Sequence, residues 1–378
     1  MTITQESAQA QRTKAVLYKP IDLSDFERRK DQIATELLTA ATSTGFWHIV
    51  GHGIPQEDID AAFALGGSFF DLPASAKQAT RFIPRDYVGW RSLSELEAMS
   101  GTRNWEWYSV AYDGPKTDPR ADSVWPAEKD LPGFKPRSLA FARQCHEVAT
   151  RMVSALEQAL KVEQGYFVKM LDLQQGNNPS ILAWNTYPPK PATAIAQGKE
   201  FRLHAHADTD FLTLVFQRPG EPGLEVSPGR STLADERLGK DLTGAWNGVP
   251  SDAGNVWYPM DPVENAITIN IGDVFMRITD DILKSTYHRV RTPAPNDHEG
   301  ERRTIAYFAW PNRDAIIQGP QKKYAAISAA DLLASEGNAY AARKDDETWK
   351  EVAYRAQHEN PYHTRKHESV ARSPIPAN

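Results

Sequence analysis

The chain has 378 residues, of which 40% are hydrophobic and 24% charged, an ordinary composition for a globular protein with a sizeable core. Its formal net charge of -6 argues against nucleic acid or an anionic membrane surface as a partner. Cys145 is the only cysteine, which excludes an intramolecular disulfide, and neither a signal peptide nor a membrane-spanning apolar run is visible. We therefore expect a cytoplasmic protein that binds neither nucleic acid nor membrane, and the oligomeric state stays open.

The first half of the chain predicts helices. Residues 1–15 are polar and lack periodicity, and we expect them to form a disordered tail. Residues 16–177 predict a helical region whose first helix starts at a capping box of Ser24 and Glu27. The other elements expected here are a strand over 46–50, a helix after Pro55 and a long helix over 138–161, with irregular chain over 74–135.

Residues 178–320 consist of short apolar runs separated by Pro, Gly, Asp and Asn, which is typical of a β-sandwich or barrel. The expected strands are Ile181–Tyr187, Phe211–Gln217, Ala266–Ile271, Ser285–Arg291 and Thr304–Trp310. Residues 227–254 predict a surface insertion, and 321–378 predict a final helix near 328–350 and a polar tail. Helices followed by strands predict one structural unit, an α+β fold with a mainly β core.

Two residues in this β region, His206 and Asp208, stand two positions apart in a segment that is expected to be a strand. Side chains at i and i+2 share a face, so this imidazole and carboxylate can reach one metal ion. The pair alone is weak evidence, but His288 on another expected strand completes two His and one carboxylate, the set of non-haem Fe(II) oxygenases. His204 shares the strand phase and stays an alternative ligand, less favoured because no carboxylate follows two positions on.

A second polar group, Arg302 with Thr304, opens the last apolar strand. A guanidinium and a hydroxyl on one strand face, beside a metal, suit a carboxylate ligand. Six motifs in this order resemble the iron/2-oxoglutarate-dependent oxygenases of the isopenicillin N synthase-like group, over nearly the whole chain. They are Gly45–Pro55, Phe69–Pro73, Asn185–Pro189, His206–Leu214, Asn270–Val290 and Arg302–Thr304. The resemblance implies a double-stranded β-helix, a jelly roll related to the cupins, with the N-terminal helices as its buttress.

The resemblance also implies roles for single residues and a reaction. The implied Fe(2+) ligands are His206, Asp208 and His288, and the implied contacts of the co-substrate 2-oxoglutarate are Arg302, Thr304, Tyr187 and Asn185. Such an enzyme uses O2 to hydroxylate, desaturate or cyclise a small molecule, expected here to be a natural product, and releases succinate and CO2. The sequence departs from the group at Asp210, where Gly is usual, at Thr304, where Ser is usual, and in the longer gap between Asp208 and His288.

Contacts with the substrate are less well defined by the sequence. Candidates by strand parity or position are Phe308, Trp310, Ala183 and Arg91. The segment over 104–108 lies in the irregular region that commonly covers the pocket in this group. For all of these, core packing is an equally good interpretation, and for Arg91 a surface position is the simpler one.

Two other functions remain open from the sequence. One is an Fe(II) oxidase of the same fold that uses no 2-oxoglutarate, since such relatives also keep the motif of Arg302. The other is a non-catalytic binding protein on this fold, against which the complete set of His206, Asp208 and His288 argues.

Overall fold

The computed structural model describes residues 8–83, 86–92, 105–112, 124–189, 201–228, 256–293 and 296–333. Within these ranges the α-helices are α1 (Ala8–Tyr18), α2 (Phe26–Ser43), α3 (Gln56–Phe70), α4 (Ala74–Gln78), α5 (Phe134–Leu160) and α6 (Asp273–Ile278). Short 3-10 helices span Val168–Leu171 and Leu173–Gln175. The strands are β1 (Ile21–Asp22), β2 (Phe46–Val50), β3 (Gly89–Arg91), β4 (Glu106–Ala111), β5 (Ile181–Tyr187), β6 (Phe201–His206), β7 (Leu212–Gln217), β8 (Leu224–Ser227), β9 (Tyr258–Pro259), β10 (Ile267–Ile271), β11 (Tyr287–Arg291), β12 (Arg302–Ala309), β13 (Ile316–Ile317) and β14 (Ile327–Ser328).

Two sheets form the β core. The larger has eight strands in the order β1-β2-β10-β7-β12-β5-β4-β3, and the smaller has four in the order β6-β11-β8-β9. Neighbouring strands within both sheets run antiparallel, apart from β1 and β2. The fold is thus an α+β jelly roll, as expected from the sequence.

Strand β5 separates two apolar clusters because its side chains alternate between its faces. Leu182 and Trp184 belong to the larger cluster, which packs α2, α3 and α5 against the larger sheet. Ala183 and Tyr187 belong to a second cluster that also contains Val290 of the smaller sheet. We call this second group the inter-sheet cluster; its buried members are Val88, Trp105, Trp107, Val124, Ile181, Ala183, Tyr187 and Val290.

The sequence-predicted elements agree with the structure for most of the chain. Strands β2 and β5 have the expected bounds, and α3 begins directly after Pro55. The long helix α5 starts four residues earlier than expected, at Phe134, and ends at Leu160, one residue before the expected end. Because the helical region and the β core share one apolar cluster, we propose that they form one structural unit. In the part of the chain that the structure describes, no helix is both long and apolar enough to cross a membrane.

The expectation of a disordered tail over 1–15 is wrong for residues 8–15, which lie in α1. This helix is anchored at its far end, where Leu17 is fully buried beside Phe46 of β2 and Val226 of β8. The polar composition of this segment does not predict a helix, because the helix is stabilised by the tertiary packing of Leu17. Residues 1–7 lie outside the described ranges.

Two local expectations in the first half are also corrected. No capping box forms, because the Ser24 hydroxyl donates to Asp22 Oδ2 at 2.8 Å, and α2 begins at Phe26 after Asp25 in a left-handed conformation. The irregular region over 74–135 contains β3 and β4, which extend the larger sheet beside β5. Residues 329–333 are helical, as expected for the final helix.

Several expectations fall outside the described residues. These are the insertion from 229 to 254, Asn104 in the expected pocket cover, the final helix and polar tail beyond residue 333, and the side chain of His204.

Helix α3 contacts the larger sheet through a close approach at Gly66. A Cβ at this position would lie 2.1 Å from Trp184 Cδ1, and the indole cannot easily move, because its Nε1 donates to the Ala62 carbonyl at 2.9 Å. We expect Gly66→Ala to lower the free energy of unfolding by about 1–2 kcal/mol, the overpacking cost exceeding the gain in helix propensity. Urea denaturation beside the exposed control Ser68→Ala measures this, and equal stability of the two variants contradicts it.

Candidate active site

Two histidines lie opposite each other in the smaller sheet. His206 of β6 pairs with His288 of β11 in the antiparallel register, which brings facing side chains close together. Their ring centroids are 4.2 Å apart at an interplanar angle of 51°. The ring of Phe46 contacts His288 edge-on at 5.2 Å and packs that imidazole from the side. The backbone pairing thus brings the two imidazoles together.

Asp208 lies just beyond the end of β6, in the connection to β7, and not on the strand as expected. Its Oδ1 atom is nevertheless 3.7 Å from His206 Nε2 and 3.6 Å from His288 Nε2. The three candidate ligand atoms all lie within 4.8 Å of one another, so one metal ion can contact all three. The register between β6 and β11 also shifts after His288.

The other oxygen of Asp208 is held by two hydrogen bonds. Oδ2 accepts from Thr213 Oγ1 at 2.6 Å and from Asn270 Nδ2 at 2.8 Å, which leaves Oδ1 towards the histidines. Burial opposes ionisation of this carboxyl, but the neighbouring imidazoles and these hydrogen bonds outweigh it and lower its pKa. Asp208 is therefore an anionic candidate ligand.

The ring orientation of His288 is supported by a hydrogen bond of its own. Nδ1 lies 3.3 Å from the carbonyl oxygen of Thr286, and a carbonyl can only accept. A proton on Nδ1 is therefore directed to this carbonyl, and Nε2 is the ring nitrogen that faces Asp208 Oδ1. Such a fixed tautomer is a common feature of metal-binding histidines.

Asp210 stands where the related group usually has glycine, and it is buried against the hydroxyl that holds Asp208. Its oxygens lie 3.1 and 3.3 Å from Thr213 Oγ1. Burial and the nearby Asp208 raise the pKa of Asp210 well above its usual range. Since Thr213 has one hydroxyl hydrogen, a protonated Asp210 donates to the Thr213 oxygen while Thr213 donates to Asp208.

A second polar group surrounds Arg302 at the start of β12. Arg302 is 1% exposed, and it donates through Nε to the Glu221 carbonyl at 3.1 Å and through Nη2 to Gln217 Oε1 at 2.9 Å. Within the described residues, its Nη1 has no hydrogen-bond partner. Tyr187 lies opposite Arg302 across β5 and β12, with the guanidinium 5.2 Å from the ring centroid. Burial raises the pKa of Tyr187 against the charge of Arg302, so the phenol stays a neutral donor.

The amide of Gln217 is fixed by its other partners. Its Nε2 donates to the Met260 carbonyl and to Thr268 Oγ1, both at 3.0 Å. Thr268 in turn lies 3.2 Å from Nδ1 of His48, whose pKa burial lowers to about 4, so a neutral imidazole accepts the hydroxyl proton. These contacts turn Gln217 Oε1 towards Arg302 and hold the guanidinium in place.

The other two residues expected to contact the co-substrate, Thr304 and Asn185, lie two positions from Arg302 and Tyr187 on the same pair of strands. Thr304 is buried two positions after Arg302 on the same side of β12, and Asn185 pairs with Thr304 across β5. Of the expected substrate residues, Ala183 is in the inter-sheet cluster and Phe308 packs against it. Thus six of the expected residues lie along one face of β5 and β12, namely Ala183, Asn185, Tyr187, Arg302, Thr304 and Phe308.

Trp310 and Arg91 lie elsewhere than expected. Strand β12 ends at Ala309, so parity does not extend to Trp310, which packs in the larger cluster on the helical side. Arg91 is 2% exposed, which corrects the simpler expectation of a surface position. Its guanidinium lies 3.4 Å from the ring centroid of Trp107 and 4.3 Å from that of Phe82, at the edge of the inter-sheet cluster.

Sequence reasoning did not assign a role to Thr213, Asn270, Gln217 or Arg202. The first two stand inside quoted motifs, and a search for hydroxyl or amide donors near the carboxylate would have marked them. The donor set as a whole suits Fe(II), because two imidazoles and one carboxylate are the ligands that this ion takes in oxygenases. The buried, unpartnered Nη1 of Arg302 fits the carboxylate of an organic acid.

Two family models match the chain. The N-terminal one, described as "non-haem dioxygenase in morphine synthesis N-terminal", matches residues 19–128, and the "2OG-Fe(II) oxygenase superfamily" model matches residues 178–311. The second match contains His206, Asp208, His288 and Arg302.

Similar individual proteins point the same way. The chain is 29% identical over 315 residues to the "2-oxoglutarate-Fe(II) type oxidoreductase ppzD" of Metarhizium rileyi, covering 78% of this chain and 82% of that protein. It is 28% identical over 309 residues to the "Proline hydroxylase buaE" of Petromyces alliaceus, covering 79% and 88%. A Neurospora crassa protein, solved in complex with alpha-KG and 5-formyluracil, superimposes with a TM-score of 0.68 at 25% identity, covering 84% of this chain and 94% of that one.

The hydrogen bond from Thr213 to Asp208 can be tested by itself. We expect Thr213→Val to weaken Fe(II) binding about 10–100-fold, because Asp208 Oδ2 loses a donor, whereas Thr213→Ser keeps the hydroxyl and the affinity. Anaerobic Fe(II) titration of both variants measures this, and indistinguishable affinities contradict it.

Proposed function

The chain belongs to the 2-oxoglutarate–Fe(II) oxygenase superfamily, and from this premise we propose which of its residues carry the reaction. It is an oxidoreductase that uses Fe(2+), 2-oxoglutarate and O2 on a small-molecule substrate. The observation that carries the assignment is the convergence of His206, Asp208 and His288 on one point.

We propose that these three side chains are the metal ligands. Asp208 supplies the anionic oxygen Oδ1, and its low pKa keeps that oxygen ionised. His288 presents Nε2 because its Nδ1 proton is directed to Thr286, and His206 presents Nε2 from the facing strand. The bound metal supplies the redox chemistry by which O2 oxidises the substrate while 2-oxoglutarate is converted to succinate and CO2.

We propose that Arg302 binds the distal carboxylate of 2-oxoglutarate, with Thr304 and the neutral phenol of Tyr187 as further donors and Asn185 beside them. The unpartnered Nη1 of Arg302 supports this assignment, because a buried guanidinium N–H needs an acceptor. The contacts of Arg302 with Gln217 and Glu221 hold its guanidinium in place and leave Nη1 as the donor for the acid.

For the substrate we propose a natural product with substantial apolar surface. The inter-sheet cluster supports this, because its buried aromatic and aliphatic side chains form apolar surroundings for Tyr187. Phe308 and Ala183 are the proposed contacts from the strands, and Arg91 is a proposed polar one at the aromatic edge. Hydroxylation, desaturation and ring formation are all reactions that this chemistry can perform.

We also propose a cytoplasmic location. Fe(II) persists best in a reducing compartment, and the single cysteine, Cys145, is buried as a free thiol in α5. Cell fractionation with an antibody to the chain tests this, and recovery outside the cytoplasm contradicts it.

The metal assignment has a direct test. We expect His206→Ala to lose stoichiometric Fe(II) binding and 2-oxoglutarate-dependent succinate release, because one of the three ligands is gone. The matched control is His298→Ala, an exposed histidine outside the site. Metal content after anaerobic purification and succinate assay measure the two effects. Full iron content with activity in His206→Ala overturns the assignment. If the wild-type protein turns over its substrate without releasing succinate, the result favours the Fe(II) oxidase of the same fold.

The role of Phe308 has a separate test. We expect Phe308→Ala to change the range of metabolites that stimulate succinate release while iron affinity stays within about threefold, since Phe308 packs against the inter-sheet cluster and is not one of the proposed ligands. Ile316→Ala, at an exposed apolar position, is the control. A metabolite library scored by succinate release measures the range, and unchanged kinetics with the true substrate contradict the proposal.

A further inference from the structure

A second arginine, Arg202 of β6, lies close to the site of Arg302 and has no assigned role. Its side chain is 1% exposed, and its Nη2 donates to the carbonyl of Gly300 at 2.9 Å, two residues before Arg302. Its Nε has no hydrogen-bond partner within the residues that the structure describes. A buried guanidinium with an unused N–H needs an acceptor that the described residues do not provide.

The partners of the two guanidiniums are all neutral. Within the described ranges, their hydrogen bonds go to the carbonyls of Gly300 and Glu221, to the amide oxygen of Gln217 and to the neutral phenol of Tyr187. The nearest acid, Glu221, has other partners, because its Oε2 accepts from the Arg303 backbone N–H at 2.8 Å. In this described part of the chain, two buried positive charges thus lack a hydrogen-bonded carboxylate.

The two charges also affect each other. Burial, and next the positive charge of Arg302, lower the pKa of Arg202 to about 10. The pKa of Arg302 is lowered as well, chiefly by burial, and Tyr187 acts on both residues in the opposite direction. Like charges held together away from water are costly, and an anion between them removes that cost.

A single carboxylate can satisfy both arginines. Its two oxygens offer about four lone-pair sites, so two guanidiniums can each donate to it beside the hydroxyls of Tyr187 and Thr304. Arg302 belongs to the larger sheet and Arg202 to the smaller one, and the two side chains are near enough for their charges to act on each other.

We propose that Arg202 is a second guanidinium for the distal carboxylate of 2-oxoglutarate, sharing it with Arg302. This inference rests on the proposed role of Arg302. A substrate carboxylate is the less favoured ligand, because Arg202 is anchored beside Arg302, whereas the arginine at the aromatic edge of the inter-sheet cluster is Arg91.

The experiment compares 2-oxoglutarate with 2-oxopentanoate, in which a methyl group replaces the distal carboxylate. Kd values are measured by calorimetry on the full chain loaded anaerobically with Fe(II), for wild type, Arg202→Gln, Arg202→Lys and Arg302→Gln. Arg313→Gln is the matched control, since that arginine pairs with Asp86 at 3.0 Å. The thermal midpoint of each ligand-free protein is recorded as well.

We expect Arg202→Gln to raise the Kd of 2-oxoglutarate about tenfold or more and to leave that of 2-oxopentanoate unchanged. Arg202→Lys, which keeps the charge, has a smaller effect, and Arg313→Gln has none. The ligand-free midpoint of Arg202→Gln does not fall below that of wild type, because the repulsion is relieved; a purely structural arginine would lower it.

Several results overturn the inference. One is an unchanged Kd for 2-oxoglutarate in Arg202→Gln. A second is an equal rise in the Kd values of 2-oxoglutarate and 2-oxopentanoate, and a third is a rise in the KM of the substrate alone. If instead wild type and Arg302→Gln bind 2-oxoglutarate equally well, or wild type does not bind it, the proposed function of Arg302 fails first. Should Arg202→Gln not fold, the Arg202→Lys comparison decides.

Discussion

The candidate metal site depends on how the carboxylate of Asp208 is held. Because Thr213 and Asn270 occupy Oδ2, only Oδ1 is left for the point where the two imidazoles meet. The donors come from β7 and β10, so the smaller sheet supplies the histidines and the larger sheet aims the acid. The site therefore forms only when the two sheets are packed together, which couples its geometry to the fold.

The candidate metal site and the arginine pair have opposite electrostatic character. At the metal site, Asp208 is ionised and offers Oδ1 to a cation, while the raised pKa of the buried Asp210 keeps that neighbouring carboxyl neutral. Arg202 and Arg302, by contrast, present guanidinium groups bonded to neutral oxygens. Under the proposed roles of these residues, an acid that binds the cation at one end and the guanidiniums at the other complements both groups.

Local signals in the sequence accounted for much of the fold and the centre of the site. Strand β5 was predictable because its apolar run is bounded by prolines, and His206, Asp208 and His288 because they stand in ordered motifs. The departures need tertiary information. The sequence around Arg202 predicts a strand but not that this arginine is buried. Its burial depends on Gly300, which lies in a loop almost a hundred positions away. Strand alternation could not predict the position of Trp310, because it does not show that β12 ends at Ala309.

Strand β5 divides the protein interior into two compartments with different tasks. Its odd-numbered positions, such as Ala183 and Tyr187, line the interior between the sheets, while Trp184 supports the helical layer. Changes in chemical selectivity can therefore accumulate on one side without weakening the scaffold on the other. A single inserted or deleted residue would exchange the two sets, so this strand can vary by substitution but hardly by length.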